Sequence, residues 1–183
     1  FRACFWLSPV VCAAYAVWLD WSPVASVALG LFVHMASVPL GLLLVVALKW
    51  LIIGRIQAGK YPVWGGYFLR WWFVQRLIDI APRVYITGTP LASLFLRMLG
   101  ARVGRNVIIE SLDMDCPDLM AIGDDCVLEE RSWVRASHVA HGYLSIRPIS
   151  IGRGCIIGVR AGVAGGAVLG EGAFLQDLSC AVE

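Results

Sequence analysis

Two long apolar stretches near the N-terminus, an aromatic and basic segment after them, and a run of six-residue repeats together predict the fold class. It is a two-helix transmembrane hairpin plus interfacial helices, followed by a left-handed parallel β-helix (hexapeptide repeats), truncated at the C-terminus. The repeat is the clearest signal. Residues 151–174 read IGRGCI IGVRAG VAGGAV LGEGAF: Ile151, Ile157, Val163 and Leu169 open consecutive hexads, Gly or Ala comes second, and Cys155, Ala161, Ala167 and Ala173 take the fifth place. A unit this short buries its apolar side only against its neighbours. Three hexads close a triangular coil, with an aliphatic side chain inside each face and a small residue near each corner. Such a coil departs from the usual right-handed crossover of parallel strands.

Composition points to a membrane: of 183 residues, 59% are hydrophobic and 15% charged, and the mean hydropathy is +0.75. A net charge of +2 without an Arg/Lys run gives nucleic acid no footing as a partner. The six cysteines show no C-x-x-C and read as reduced and structural. The chain begins at Phe1 and stops at Glu183 within the repeat pattern, which leaves an uncapped coil end; it is expected to be an excerpt of a longer polypeptide.

In chain order, residues 3–19 are apolar apart from Ser8 and end at Asp20-Trp21-Ser22-Pro23, which makes them the first span. A signal peptide competes, through Arg2 and the cleavage-like Ala14-Tyr15-Ala16. Residues 24–48 carry no formal charge and form the second span, with His34 read as a hydrogen-bonded packing residue and Pro39 as a tolerated kink. Lys49, Arg55, Lys60, Arg70 and Arg76 follow against Asp79 alone, which places that side in the cytosol. The expectation is a multi-pass protein of the cytoplasmic membrane, in contact with membrane lipid, with its β-helix on the cytoplasmic side. Domains are expected at 1–53 (hairpin), 54–101 (juxtamembrane amphipathic helices and β-helix cap) and 102–183 (incomplete transferase-like β-helix).

Residues 67–80, rich in Trp, Tyr and Arg, read as a helix lying in the interface, with a core helix packed on the coil as the alternative and a third span as a weaker one. Thr89-Pro90 and Gly100 bound a helix that carries Leu91, Leu94, Phe95 and Met98 on one face as a lid for the first coil. Val103, Ile109, Ile122, Leu128 and Val134 open further hexads. From Val103 to Ile122 is 19 positions, one more than a coil of 18, with Cys116-Pro117-Asp118 as the place of the extra residue. From Val134 to Ile151 is 17, so the register breaks between His138 and Pro148, where a loop can leave the surface to carry function.

That stretch holds His138 and His141. His138 falls at the fifth, small-residue place of its hexad, so either the coil is distorted or the side chain points into a cleft. An imidazole titrates near neutrality and can take a proton from an attacking amine or hydroxyl. His141, Tyr143 and Ser145 are neighbours that could orient it; ordinary loop histidines bonded to carbonyls are the alternative. Eight of the 13 acidic residues lie between Glu110 and Glu130, where no basic residue appears. Asp113, Asp115, Glu129 and Glu130 are candidate substrate-binding residues, supplying a negative field for a diamine or lysine-like acceptor, against a merely solvated face. No metal site is expected: Asp113-x-Asp115-x-x-Asp118 lacks the glycine turn and closing glutamate of a calcium loop.

The coil with its histidine loop resembles the hexapeptide-repeat acyltransferases. The whole order (hairpin, KWLIIGRIQAGKYPVWGGYFLRWWFVQRL, a helix ending LRMLGARVGRNVII, then coil) resembles the membrane-tethered C-terminal module of poly-amino-acid (ε-poly-lysine-type) nonribosomal peptide synthetases. The resemblance implies an acyltransferase-like part of a larger enzyme, forming amide bonds from a carrier-bound aminoacyl thioester to an amine acceptor. It implies His138 as the loop histidine, with His141 as an alternative. It also implies no cofactor held by the chain itself, a phosphopantetheine thioester delivered by a carrier domain, and sister modules of the same polypeptide and an amino acid or small amine as partners. An acetyl-coenzyme A dependent hexapeptide O/N-acyltransferase, with Arg153 and Arg160 as candidate phosphate contacts, is the first alternative, and a basic or Gly-lined cleft beside the C-terminal coils would favour it. A non-catalytic membrane scaffold is the second.

Overall fold

The computed structural model describes residue 14 and residues 22–182. Helix α1, Pro23–Ile52, starts where the Ser22 hydroxyl accepts the Ala25 N–H at 3.3 Å and Pro23 takes the first helical position. Among the described residues it is the one helix long and apolar enough to cross a membrane. One stripe of it is fastened to the rest of the chain. His34 Nε2 lies 2.9 Å from the Tyr85 hydroxyl, Gly41 faces Pro82, Leu42 and Val45 are buried, and Lys49 Nζ lies 2.8 Å from Asp118 Oδ1. His34 is thus a hydrogen-bonded packing residue. Strand β1, Gly59–Pro62, helix α2, Gly66–Ile80, a 3-10 turn at Arg83–Tyr85 and helix α3, Pro90–Met98, follow.

This corrects the expected two-helix hairpin with interfacial helices ahead of a left-handed parallel β-helix. The described helices are three, of which one is long and apolar, and parallel strands stacked in three sheets follow them. The first expected span, residue 14 aside, lies outside the described residues, and a multi-pass arrangement has no support among those described. Helix α2 does not lie free in an interface: Trp71, Val74, Gln75 and Ile78 are buried, and the Trp71 indole N–H donates to Cys116 Sγ at 3.2 Å. An aromatic-rich helix has enough apolar surface to bury one stripe and still expose Leu69, Trp72 and Phe73 on the other, which is what composition alone read as amphipathic. Helix α3 is rotated from expectation: Ala92, Phe95, Leu96 and Leu99 are buried while Leu91 and Leu94 are exposed, because the spacing of three and four residues starts at Ala92.

The β part has strands β2 (Arg102–Val103), β3 (Ile108–Ile109), β4 (Asp113–Asp115), β5 (Met120–Ile122), β6 (Val127–Leu128), β7 (Trp133–Arg135), β8 (Ser137–Ala140) and β9 (Tyr143–Ile146). Then come β10 (Ile149–Ile151), β11 (Ile156–Ile157), β12 (Gly162–Ala164), β13 (Val168–Leu169), β14 (Phe174–Leu175) and β15 (Cys180–Ala181). Three parallel four-stranded sheets form, ordered β13-β10-β5-β2, β14-β11-β6-β3 and β15-β12-β7-β4, and the chain visits them in rotation. Ile109, Leu128, Val134, Ile151, Ile157 and Val163 point inward, with Cys126, Cys155, Ala161 and Ala167 buried beside them. Gly152 is needed for the stacking: a Cβ there would lie 2.7 Å from the backbone carbonyl carbon of Gly170 on the next circuit.

The register explains the break. Ser150↔Val168, Ile156↔Phe174 and Gly162↔Cys180 step by 18 residues. Ala121↔Ser150, Val127↔Ile156 and Trp133↔Gly162 step by 29, so 29 − 18 = 11 extra residues enter at one place. The irregularity is not a one-residue shortfall: it is the antiparallel hairpin β8-β9, which leaves the stack after Ala136. A fourth sheet, β1-β9-β8, joins this hairpin to the short strand between α1 and α2.

Candidate functional site

The hairpin turns through His141 at φ +51° and Gly142 at φ +77°, the two positive dihedrals that a two-residue turn matched to strand twist requires. Its foot is held from below. The Asp115 carboxylate accepts the Ala136 N–H at 2.6 Å and the Ser137 N–H at 3.3 Å, and also the Ser137 hydroxyl. Burial pushes the Asp115 carboxyl above the usual carboxylate range, while these hydrogen bonds and the Arg135 guanidinium pull the other way.

On β8, His138 stands opposite Ser145 of β9, and Ser145 stands opposite Lys60 of β1. Directly opposed residues share one face of a sheet, on strands about 4.8 Å apart. His138, Ser145 and Lys60 therefore form a row, and all three line a cleft of about 740 Å³ together with Trp133, Arg135, His141, Tyr143 and Arg147. Strands β7 and β12 floor the cleft. There the Trp133 ring lies where Gly162 leaves room, 2.1 Å from the site of an absent Cβ, and the Arg135 guanidinium sits 5.6 Å from the ring centroid. The His138 and His141 side chains are exposed to this cleft. An accessible imidazole beside a hydroxyl and three long cationic side chains can exchange a proton with a nucleophile and hold an anionic group nearby.

His138 and His141, with Tyr143 and Ser145, are thus brought together. The acidic candidates are not. Asp113 pairs with Arg135 at 3.0 Å and, with Glu130, lines a separate cleft of about 840 Å³ that also holds Arg83, Glu110 and Arg131. Asp115 is turned inward at the hairpin foot, and Glu129 is half-buried after β6. Arg153 pairs with Asp125 at 3.3 Å; neither it nor Arg160 lines the histidine cleft.

Sequence reasoning missed Lys60, Trp133 and Arg147 as site residues. Lys60 sits on a four-residue strand that ends in proline, 85 positions before its partner Ser145, and no period marks it. Cys116, Cys126 and Cys155 are free and buried, and burial pushes the Cys116 and Cys126 thiols up, away from the reactive thiolate. Cys126 and Cys155 donate to the carbonyls of Gly152 and Gly170, each at 3.0 Å, so they serve the stack. Among the described residues no group of three His, Cys, Asp or Glu side chains could hold a metal ion.

No family model matches the chain. A delta-poly-L-ornithine synthetase from Acinetobacter baumannii (strain AB307-0294) is 30% identical to it over 154 residues, which is 84% of this chain and 12% of that protein. The chain thus spans a small part of that relative's length. It is similar to a stretch of a poly-amino-acid synthetase, in line with one of the two likenesses read from the sequence.

Proposed function

We propose that the chain is an amide-forming aminoacyl transferase module of poly-amino-acid synthesis, tethered to the membrane by α1. The likeness to a delta-poly-L-ornithine synthetase along most of the chain carries this reading. The cleft supplies a place for the chemistry. An acceptor amine seated beside His138 gives up a proton to the imidazole as its nitrogen bonds to the thioester carbonyl carbon. The carbon–sulfur bond then breaks, and the proton passes to the departing thiolate. The thioester arrives on a phosphopantetheine arm as substrate. Ser145, opposite His138 on the neighbouring strand, supports this reading as a hydroxyl that would orient the imidazole or the amine.

The tether rests on the length and apolarity of α1. Arg55, Lys60, Arg70 and Arg76 after it favour a cytosolic position for the β domain. Lys49 drops out of that count, because it is buried against Asp118.

One observation favours a second reading, a coenzyme A dependent acyltransferase: the cleft is basic, and Gly165 on its floor brings backbone close, with a Cβ there meeting the Ala136 carbonyl oxygen at 2.5 Å. The two readings separate when the chain in nanodiscs is given L-ornithine with either an ornithinyl-pantetheine thioester or acetyl-coenzyme A, and products are weighed by mass spectrometry. A dipeptide-type amide from the first donor supports the module. Acetyl transfer alone would replace it with the second reading, and no transfer from either donor would leave the scaffold.

A further inference from the structure

The row His138–Ser145–Lys60 joins two parts of the chain that the sequence keeps far apart. Lys60 comes from the segment next to α1, and its strand adds to the hairpin through Gly59↔Ile146 to Pro62↔Tyr143, extended by the Val63 N–H donating to the Gly142 carbonyl at 3.0 Å. The strand has no part in the three stacked sheets. Its structural effect is to add one residue with a charged head, Lys60, to the cleft that holds His138.

Among the described residues the cleft is lined by Lys60, Arg135, Arg147 and two histidines, and by no carboxylate. Arg135 is engaged by Asp113 at its outer side. Among the described residues, the acidic candidates Asp113 and Glu130 lie in the other cleft and Asp115 at the hairpin foot, away from the imidazole. Two strand spacings separate Lys60 from His138, about 10 Å between backbones. An amino acid can face that gap with its reacting amine at one end and its carboxylate at the other, and a whole phosphopantetheine arm, thiol at one end and phosphate at the other, is long enough to cross it.

We infer that this cleft contains an anion subsite, with Lys60 as its principal ligand, which takes a carboxylate or phosphate of a substrate whose reacting atom lies at His138. The inference deepens the proposed function and rests on its placing of substrate in this cleft. The anionic oxygens have two possible sources: the α-carboxylate of the acceptor amino acid, or the phosphate of the thioester arm. In either case the charge fixes which end of the substrate faces the imidazole, so Lys60 is a specificity-determining residue rather than a base.

Binding tests this apart from turnover. The chain in nanodiscs is titrated with four probes: L-ornithine, its α-carboxamide, 4′-phosphopantetheine and pantetheine. The wild type is expected to prefer the charged member of at least one pair, and the pair identifies the source. Lys60→Gln is expected to weaken the charged member by roughly tenfold, at the low end for a hydrogen bond to a charged group, and to leave the neutral member within about twofold. Lys60→Arg is expected to restore most of the preference. Equal binding within both pairs, or a preference that Lys60→Gln leaves intact, would overturn the subsite. So would a Lys60→Gln defect that appears only in nanodiscs containing anionic lipid and vanishes in neutral ones, which would make Lys60 a headgroup contact. Charge preference without amide formation would sink the proposed function and leave the subsite; amide formation without charge preference would do the reverse.

Discussion

Lys49 Nζ and Asp118 Oδ1 lie 2.8 Å apart with both side chains closed to solvent, and this pair fastens the end of the apolar helix to the first circuit of the β part. The other Asp118 oxygen accepts the Ile56 N–H at 3.3 Å, and Gly100 leaves room for the carboxylate, since a Cβ there would lie 2.2 Å from Oδ1.

Removing one partner strands a buried charge. Lys49→Met alone is expected to cost about 3–5 kcal/mol, whereas Lys49→Met with Asp118→Leu costs much less, because no unpaired ion remains. Chemical unfolding of the three proteins in detergent measures this. Equal losses from the single and double variants would show that the pair does not act as a buried ion pair.

Asp115 gives a pH signature. Because burial raises its folded pKa above the ordinary Asp value, the folded chain binds this proton more tightly than the unfolded chain. The resulting stability is fully present below the ordinary Asp value and is lost as pH rises through the higher folded value. Asp115→Asn is expected to flatten that part of the stability–pH curve. Ser137→Ala, which removes one donor to Asp115, is expected to cost about 1 kcal/mol. A slope unchanged by Asp115→Asn would assign the titration to another group.

Close stacking predicts a contrast between glycines. Gly152→Ala sets a methyl against backbone that cannot rotate away and is expected to lower stability by about 1–3 kcal/mol or more. At Gly66, the first residue of α2, nothing lies within 4 Å of an added Cβ, and Gly66→Ala is expected to be neutral or slightly stabilising. Thermal melts of both variants decide it; similar losses would mean the glycines act through chain entropy rather than through contact.

The two histidines are expected to separate. His141 supplies a positive φ at the hairpin tip, a conformation that Asn also tolerates, so His141→Asn is expected to keep transfer activity within a few-fold. A loss as large as that from replacing His138 would make His141 the base instead.

Much of the β part was legible in local spacing. Ile151, Ile157 and Val163 are inward where the hexads put them, and the small residues Cys155, Ala161 and Ala167 are buried beside them. The extra residue near Cys116 also shows: Cys116 adopts φ +47° ahead of the 3-10 turn Pro117–Leu119. Spacing failed where contacts are long-range. Nothing in the residues of α2 tells whether Trp71 meets lipid or the Cys116 thiol, and composition favoured lipid. Part of the candidate cleft was legible too, because a histidine in a small-residue place stands out within a repeat, and His138 does line it. Lys60 was not, since a strand of four residues has no period and its role appears only once β9 lies beside it.

In the proposed function His138 acts as the base for amide formation. The direct measurement supplies ornithinyl-pantetheine thioester and L-ornithine to the chain in nanodiscs and compares amide formation by wild type and His138→Ala by mass spectrometry. The variant is expected to give at least about a hundredfold less amide, the low end of what a positioned general base contributes. Equal amide from both proteins would remove His138 from the chemistry.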